Sequence, residues 1–221
     1  MKKLLLSALA VCAFTFSNAQ ETESTETSFG FAKGDIIVEG NVGFGSNSEK
    51  EEDYKETNSS FNFNPKAGYF ISDDLAVGVE LMIGSAKYTE EWDGGDFESK
   101  NSSFGAGVFA RYYFLELGKR FKTNVELGVG MNSSKYDDGN SATSDEKWNG
   151  VNAGLGLGMN YFVKDNIAIT FGLSDLINFS SSKYDDGVDG TPDVKSNSFN
   201  GNLNVLNNFF ADAQFGLLFK F

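Results

Sequence analysis

The sequence predicts an all-β fold: an eight-stranded antiparallel up-and-down barrel that crosses a membrane. Three observations carry this. Almost the whole chain after residue 34 alternates between two residue classes with a period of two. The connections between the alternating runs are short at one end and long and acidic at the other. The bulky apolar residues gather on one face, while the other carries Gly, Asn, Ser and charges.

The chain opens MKKLLLSALAVCAFTFSNAQ. Lys2 and Lys3 precede a short apolar run from Leu4 to Phe16, and Ser17-Asn18-Ala19 supplies small residues for a cut after Ala19. This is the pattern of a secretory signal peptide, residues 1–19, and the run is too short for a membrane helix. Its removal takes the formal charge from −13 to −15 and removes Cys12, the only cysteine. An exported chain without disulfides needs size, a closed sheet or a membrane for its stability. Its acidity argues against nucleic acid as a partner. Residues 20–33 (QETESTETSFGFAK) are polar and acidic and read as a flexible lead. The barrel domain is predicted over 34–221.

Eight runs follow: 34–46, 58–71, 75–89, 99–115, 121–136, 147–163, 167–183 and 197–221. In the third, Leu75, Val77, Val79, Leu81 and Ile83 share one face, with Ala76, Gly78, Glu80 and Met82 on the other. In the sixth, Val151, Ala153, Leu155, Leu157 and Met159 oppose Gly150, Asn152, Gly154, Gly156 and Gly158. Tight turns are expected at Ser72-Asp73-Asp74, around Leu117-Gly118-Lys119, and at Lys164-Asp165-Asn166. Longer acidic loops are expected around 47–57, 89–98, 137–146 and 184–196. A soluble ligand barrel keeps its bulky apolar face inside. Glycines and charges would not fill such a core, so the apolar face is assigned to lipid and the polar face to the lumen. Closure then leaves no strand edge unpaired in hydrocarbon. Two aromatic girdles are expected, with Tyr69-Phe70, Tyr112-Tyr113-Phe114, Phe121 and Tyr161-Phe162 by the short turns. Tyr88, Trp92, Phe104, Tyr136, Trp148 and Tyr184 are expected by the long loops.

With these features in place, the chain resembles the small outer-membrane β-barrel proteins of Gram-negative bacteria. It is most similar to the OmpA/OmpX-like "outer membrane protein β-barrel domain" family. NPKAGYFISDDLAVGVEL (64–81) is similar to that family's first short-turn hairpin, and GLLFKF (216–221) to its closing strand. The resemblance implies an outer-membrane location. It also implies a C-terminal insertion signal, Phe215, Leu217, Phe219 and Phe221, read by the barrel-insertion machinery. Lipid and lipopolysaccharide are the implied surroundings, and a monomer is expected.

The charges on the lumen parity are Glu39, Lys66, Glu80, Arg111, Glu126, Asp212 and Lys220. A turn centred on Asp73 sets Lys66 opposite Glu80. A turn near 118–119 sets Arg111 opposite Glu126. Glu39 and Lys220 come near each other only if the ring closes. An eight-stranded barrel is narrow enough for side chains to fill, so an ion-pair network occupying the lumen is expected. Asp175 breaks the pattern, because it falls on the lipid-facing parity. Either a bulge near Gly172–Asp175 resets the register or the strand has left the hydrocarbon there.

No histidine is present, so no Ser-His or Asp-His site exists, and no enzyme or cofactor is expected. His/Cys metal sites are likewise excluded. Asp185, Asp186, Asp189 and Asp193 are the remaining candidates for divalent cations at a loop, although they lack the spacing of an EF-hand. SSKYDDG occurs twice, at 133–139 and 181–187, and SAKYTEEWDGG (85–95) is a third relative. Tyr88, Tyr136 and Tyr184 are spaced 48 residues apart, where strands leave the membrane, with Lys outward and Tyr toward the lumen. The expected role is a structural or surface-interaction barrel with acidic extracellular loops. A minor porin-like channel for small or hydrophobic solutes is the alternative.

Overall fold

A computed structural model describes residues 29–139, 146–185, 194–201 and 214–221. All of the regular structure in them is β. The strands are β1 (Ile36–Glu51), β2 (Tyr54–Ser72), β3 (Leu75–Trp92), β4 (Gly95–Leu117), β5 (Phe121–Asp137), β6 (Glu146–Lys164), β7 (Ile167–Asp185), β8 (Val194–Gly201) and β9 (Gln214–Lys220). Each strand from β1 to β7 pairs antiparallel with the next, and β9 pairs with both β7 and β1, so the sheet is a closed ring. Side chains alternate between the two faces of each strand. Val79, Val108 and Val129 on the outer face are each more than half exposed, as a lipid-facing surface requires.

The eighth run, expected as one strand over 197–221, is two strands. β8 pairs with the far half of β7, from Ile177↔Gly201 to Tyr184↔Val194. β9 pairs with the near half, from Ile167↔Phe219 to Gly172↔Gln214. A continuous strand in the β8 register would bring residue 211 opposite Ile167, where Phe219 stands. The extra residues belong to 202–213, outside the described part. Together β8 and β9 hold the eighth place in the ring.

The turns at one end are tight: Asp73-Asp74, Gly118-Lys119-Arg120 and Asp165-Asn166. Gly118, at φ 71°, takes the left-handed conformation that this turn needs. At the other end, the loops expected around 47–57 and 89–98 are strand. β1 and β2 continue to Glu51↔Tyr54, and β3 and β4 to Trp92↔Gly95, each pair joined by two residues. Apart from Trp92 and Phe97 on the inner parity, their residues are mostly polar on both faces, so water can wet both, and cross-strand hydroxyl pairs hold the ladder. Ser46 and Ser59 are 3.4 Å apart, and Ser48 and Thr57 3.2 Å. Strands β1 to β7 run to 16–23 residues, against the ~9–11 that cross a bilayer. The wall therefore rises well beyond the apolar band.

Alternation also divides the expected girdles. By the short turns Tyr69, Tyr112 and Phe114 face out, while Phe70, Tyr113 and Phe162 are buried inside. At the far end Phe104 faces out, whereas Tyr88, Tyr136 and Trp148 are on the inner parity. Phe44, Phe61, Phe179 and Phe199 complete the outer aromatic rim instead. Near Asp175 the β6–β7 register shifts twice, and Asp175 stands opposite Gly156. Two bulges thus interrupt the ladder where the sequence pattern breaks.

The flexible lead predicted over 20–33 is corrected for its last five residues; 20–28 and the signal peptide lie outside the described part. Ile37, Phe70, Ala76, Tyr113, Phe162, Ala168 and Leu218 form an apolar core inside the ring at the short-turn end, and Phe29 and Phe31 pack against it. The lumen is thus apolar at this end, against the expectation of a polar face throughout. Phe31 stacks on Phe70 with centroids 4.4 Å apart and lies 4.5 Å from Tyr113 and 5.1 Å from Phe162. Gly30, at φ 150°, passes so close to Lys122 that a Cβ there would lie 3.2 Å from its Cε. Lys220 Nζ donates to Gly30 O at 2.8 Å, and Gly34 N donates to Phe70 O at 2.9 Å. The lead packs here because the ring closes round an apolar hollow that receives these two phenyl groups.

Phe31→Ala should therefore destabilise the barrel by roughly 3 kcal/mol, the usual cost of removing a packed aromatic ring. Urea unfolding in lipid vesicles, followed by circular dichroism, measures it. An unchanged midpoint would mean that the segment adds nothing to the fold.

Candidate functional site: the inner face of the ring

Above the apolar core lies a belt of charges supplied by five neighbouring strands, β1 to β5. Register sets it: Glu39 pairs with Lys66, Lys66 with Glu80, and Arg111 with Glu126. Arg111 is 5% exposed and Glu39 8%, and they meet across the lumen as a two-pronged fork. Arg111 Nη1 donates to Glu39 Oε2 at 2.7 Å, and Nη2 donates to Glu39 Oε1. Arg111 Nε donates to Glu126 Oε2 at 2.7 Å. Lys66 Nζ is 3.0 Å from Glu80 Oε2 and also bonds Glu126. Glu126 thus bridges the two cations. The planar guanidinium offers Glu39 two parallel N–H donors and still has Nε for Glu126, a fork that the single nitrogen of an ammonium group cannot form.

Of the charges read from sequence, the structure brings together Glu39, Lys66, Glu80, Arg111 and Glu126. It does not bring Lys220 to Glu39. Lys220 stands opposite Ile37, and its Nζ lies 3.8 Å from Asp35. Asp212 lies outside the described residues, as do Asp186, Asp189 and Asp193 of the loop candidate for divalent cations; Asp185 ends β7. Among the described residues no cluster of His, Cys, Asp or Glu is arranged to hold a metal ion.

Several uncharged residues border the belt; Phe109, Asn124 and Asn160 have no part in the sequence-based reading, and Tyr113 enters it only as a girdle aromatic. Phe109 lies under both cations, 5.3 Å from Lys66 Nζ and from the Arg111 guanidinium carbon. It fits because Gly68 and Gly78 face it; a Cβ at Gly78 would lie 2.7 Å from the ring and 2.2 Å from Ala67 O. Tyr113 OH donates to Asn160 Oδ1 at 2.8 Å, and Asn124 Nδ2 donates to the same oxygen at 3.2 Å. These polar groups join the belt to the apolar core below. Phe109 and Tyr113 share the parity of Arg111 on β4, which was the available signal.

Above the belt the inner face is lined by glycines and small polar residues. A Cβ at Gly107 would lie 2.9 Å from Glu80 Oε1, and one at Gly105 2.8 Å from Met82 Cε. The glycines therefore make room for long side chains from β3. Toward the far end, Gly45, Asn47, Asn58, Ser60, Tyr88 and Tyr136 line a cavity of about 580 Å³. At the closing strand, Phe215, Leu217 and Phe221 are at least half exposed on the outer face, and Phe221 pairs with Ile36 through both backbone bonds.

Arg111→Met should cost the barrel about 3–5 kcal/mol, because Glu39 would be left buried without its partner. Arg111→Lys should recover only part of this. Denaturant midpoints in vesicles test both; equal stability of all three proteins would contradict the geometry.

Comparisons with known proteins agree with this architecture. The sequence matches the family described as "Outer membrane protein beta-barrel domain" over residues 18–184. Among solved structures, the outer membrane protein OprG from Pseudomonas aeruginosa superposes with a TM-score of 0.52 at 14% identity. The match covers 87% of this chain and 98% of that one. Ail, the attachment invasion locus protein of Yersinia pestis, gives a TM-score of 0.40 at 15% identity, covering 86% and 99%. A comparison with curated proteins finds no match. The closed antiparallel ring, its apolar exterior and the family match together establish that this chain belongs to the outer membrane protein beta-barrel domain family and resides in the outer membrane of a Gram-negative bacterium.

Proposed function

We propose that this protein is a closed barrel with a structural or surface-interaction role, its lumen filled by the ion-pair belt and the aromatic core. The observation that carries this reading is the stacking of two barriers. The fork of Arg111 between Glu39 and Glu126 lies directly above Phe31, Phe70, Tyr113 and Phe162. An ion passing through would have to separate paired charges in a medium of low dielectric and then cross a packed apolar layer. No catalytic role is assigned to any residue. The long hairpins would meet partners outside the cell, and the outward-facing Phe215, Leu217, Phe219 and Phe221 would serve the insertion machinery during assembly, giving a monomer.

A minor channel for small solutes is the second reading. The cavity above the belt supports it, since a solute could enter from outside. The belt below argues against passage. Purified protein in planar bilayers should give no steady conductance, and liposomes carrying it should not swell in small sugars. A stable conductance that scales with salt would instead favour the channel.

A further inference from the structure

The cavity at the far end has a floor, two walls and a roof of distinct chemistry. Its volume is about 580 Å³, within the usual range for small-molecule sites. Tyr88 on β3 and Tyr136 on β5 both line it, on opposite sides of β4. Between them β4 presents only the short side chains of Ser99 and Asn101, which stand opposite Tyr88 and Tyr136 respectively. Two strand spacings, about 10 Å, therefore separate the two rings across the sheet. Ser99 is 7% exposed, lines the cavity and makes no side-chain hydrogen bond among the described residues. A buried hydroxyl without a partner is costly, and a molecule in the cavity would supply one.

The roof is acidic. Glu49, Glu56 and Glu90 stand directly opposite one another in a single row across β1, β2 and β3, one step nearer the tip than the cavity residues Asn47, Asn58 and Tyr88. Tyr54 OH donates to Glu90 Oε1 at 3.0 Å, and Tyr88 OH donates to the same oxygen. These bonds fix both phenols beside the carboxylate. Phe97 ends the row on β4 and meets Tyr88 edge to face, with centroids 6.5 Å apart. Above the belt, no Lys or Arg stands on the inner parity among the described residues. Lys87 borders the cavity, but its Nζ lies 2.8 Å from Glu98 on the outer face.

This combination selects by charge and by size. An anion would meet carboxylates with no cation to receive it. A metal ion needs ligands gathered within its own coordination distance, and among the described residues no acidic cluster is so arranged. A purely apolar solute would strip water from amides and hydroxyls without replacing their hydrogen bonds. A bulky organic cation meets none of these objections. The negative faces of aromatic rings attract it, and carboxylates too widely spaced for a metal still add to the field.

We propose that the cavity binds a small organic ammonium cation from outside the cell. The charged head lies between Tyr88 and Tyr136 beneath Glu56 and Glu90, and a polar substituent bonds Ser99. This deepens the surface-interaction reading and rests on it. Conductance reads closure of the barrel whereas calorimetry reads binding, so a failure of one is distinguishable from a failure of the other.

The test is isothermal titration calorimetry of the mature chain in uncharged maltoside micelles. The probes are choline, its neutral isostere 3,3-dimethylbutan-1-ol, and tetramethylammonium. Choline should bind at least about 10-fold more tightly than the isostere. Y88L and Y136L should each weaken choline by roughly 2- to 30-fold, the range of one cation–π contact. E56Q/E90Q should weaken choline and leave the isostere unchanged. S99A should weaken choline by roughly 2- to 10-fold, the worth of one hydrogen bond, and leave tetramethylammonium, which has no hydroxyl, unchanged. Heat-modifiable gel migration verifies that each variant is folded, and S99A keeps the test decisive if a tyrosine variant is not. Equal affinity for choline and its isostere would overturn the proposal, as would undiminished choline binding by folded E56Q/E90Q. So would the lack of any saturable choline binding in the millimolar range.

Discussion

A backbone amide in hydrocarbon has no water to bond, so a strand edge there must find another strand. Closure of the ladder between β9 and β1, from Ile37↔Lys220 to Asn41↔Gly216, is the constraint on which the rest of the molecule depends. It turns one face of the sheet toward lipid and encloses the other. It also brings the ends of the chain together, so that Phe221 bonds Ile36 and Lys220 holds Gly30 in place.

Closure creates a second requirement, because a narrow ring has an inside that must be occupied. This chain occupies it in two ways at two heights. Near the tight turns it uses apolar burial, with Phe31 against Phe70 and Phe162, as in the core of a soluble protein. Above that it uses ion pairs, which are stable in a place of low dielectric only if every carboxylate and cation is matched. Tyr113 spans the boundary, its ring in the core and its hydroxyl bonded to Asn160. Glycine is the common device in both layers: Gly68 and Gly78 admit Phe109, and Gly107 admits Glu80.

Beyond the membrane the same alternation does different work. With water on both sides there is no apolar face to bury, and the hairpins are held by their ladders and by small cross-strand contacts. Parity still sorts chemistry there, with tyrosines inward, lysines outward and carboxylates on both faces. The repeat SSKYDDG fits this sorting. Its Lys and Tyr belong to opposite faces of one strand at the height where the strand leaves the lipid.

Much of this was legible in the sequence because period-two alternation and tight turns are local. Eight runs, the Lys66–Glu80 and Arg111–Glu126 registers and the lipid-facing side all follow from counting residues between turns. What could not be read was long-range. Glu39 finds Arg111, 72 positions away, only when the ring has a diameter that lets side chains cross it. Phe29 and Phe31 resemble a polar lead until a hollow exists to receive them. The split between β8 and β9 and the bulges around Asp175 depend on fitting the last strands into a ring already set by the first six. Between the bulges, the sequence by itself determined which residues face lipid and which face inward, since that follows from the pleat. Only the tertiary structure decided which inward residues touch, because closure sets those distances.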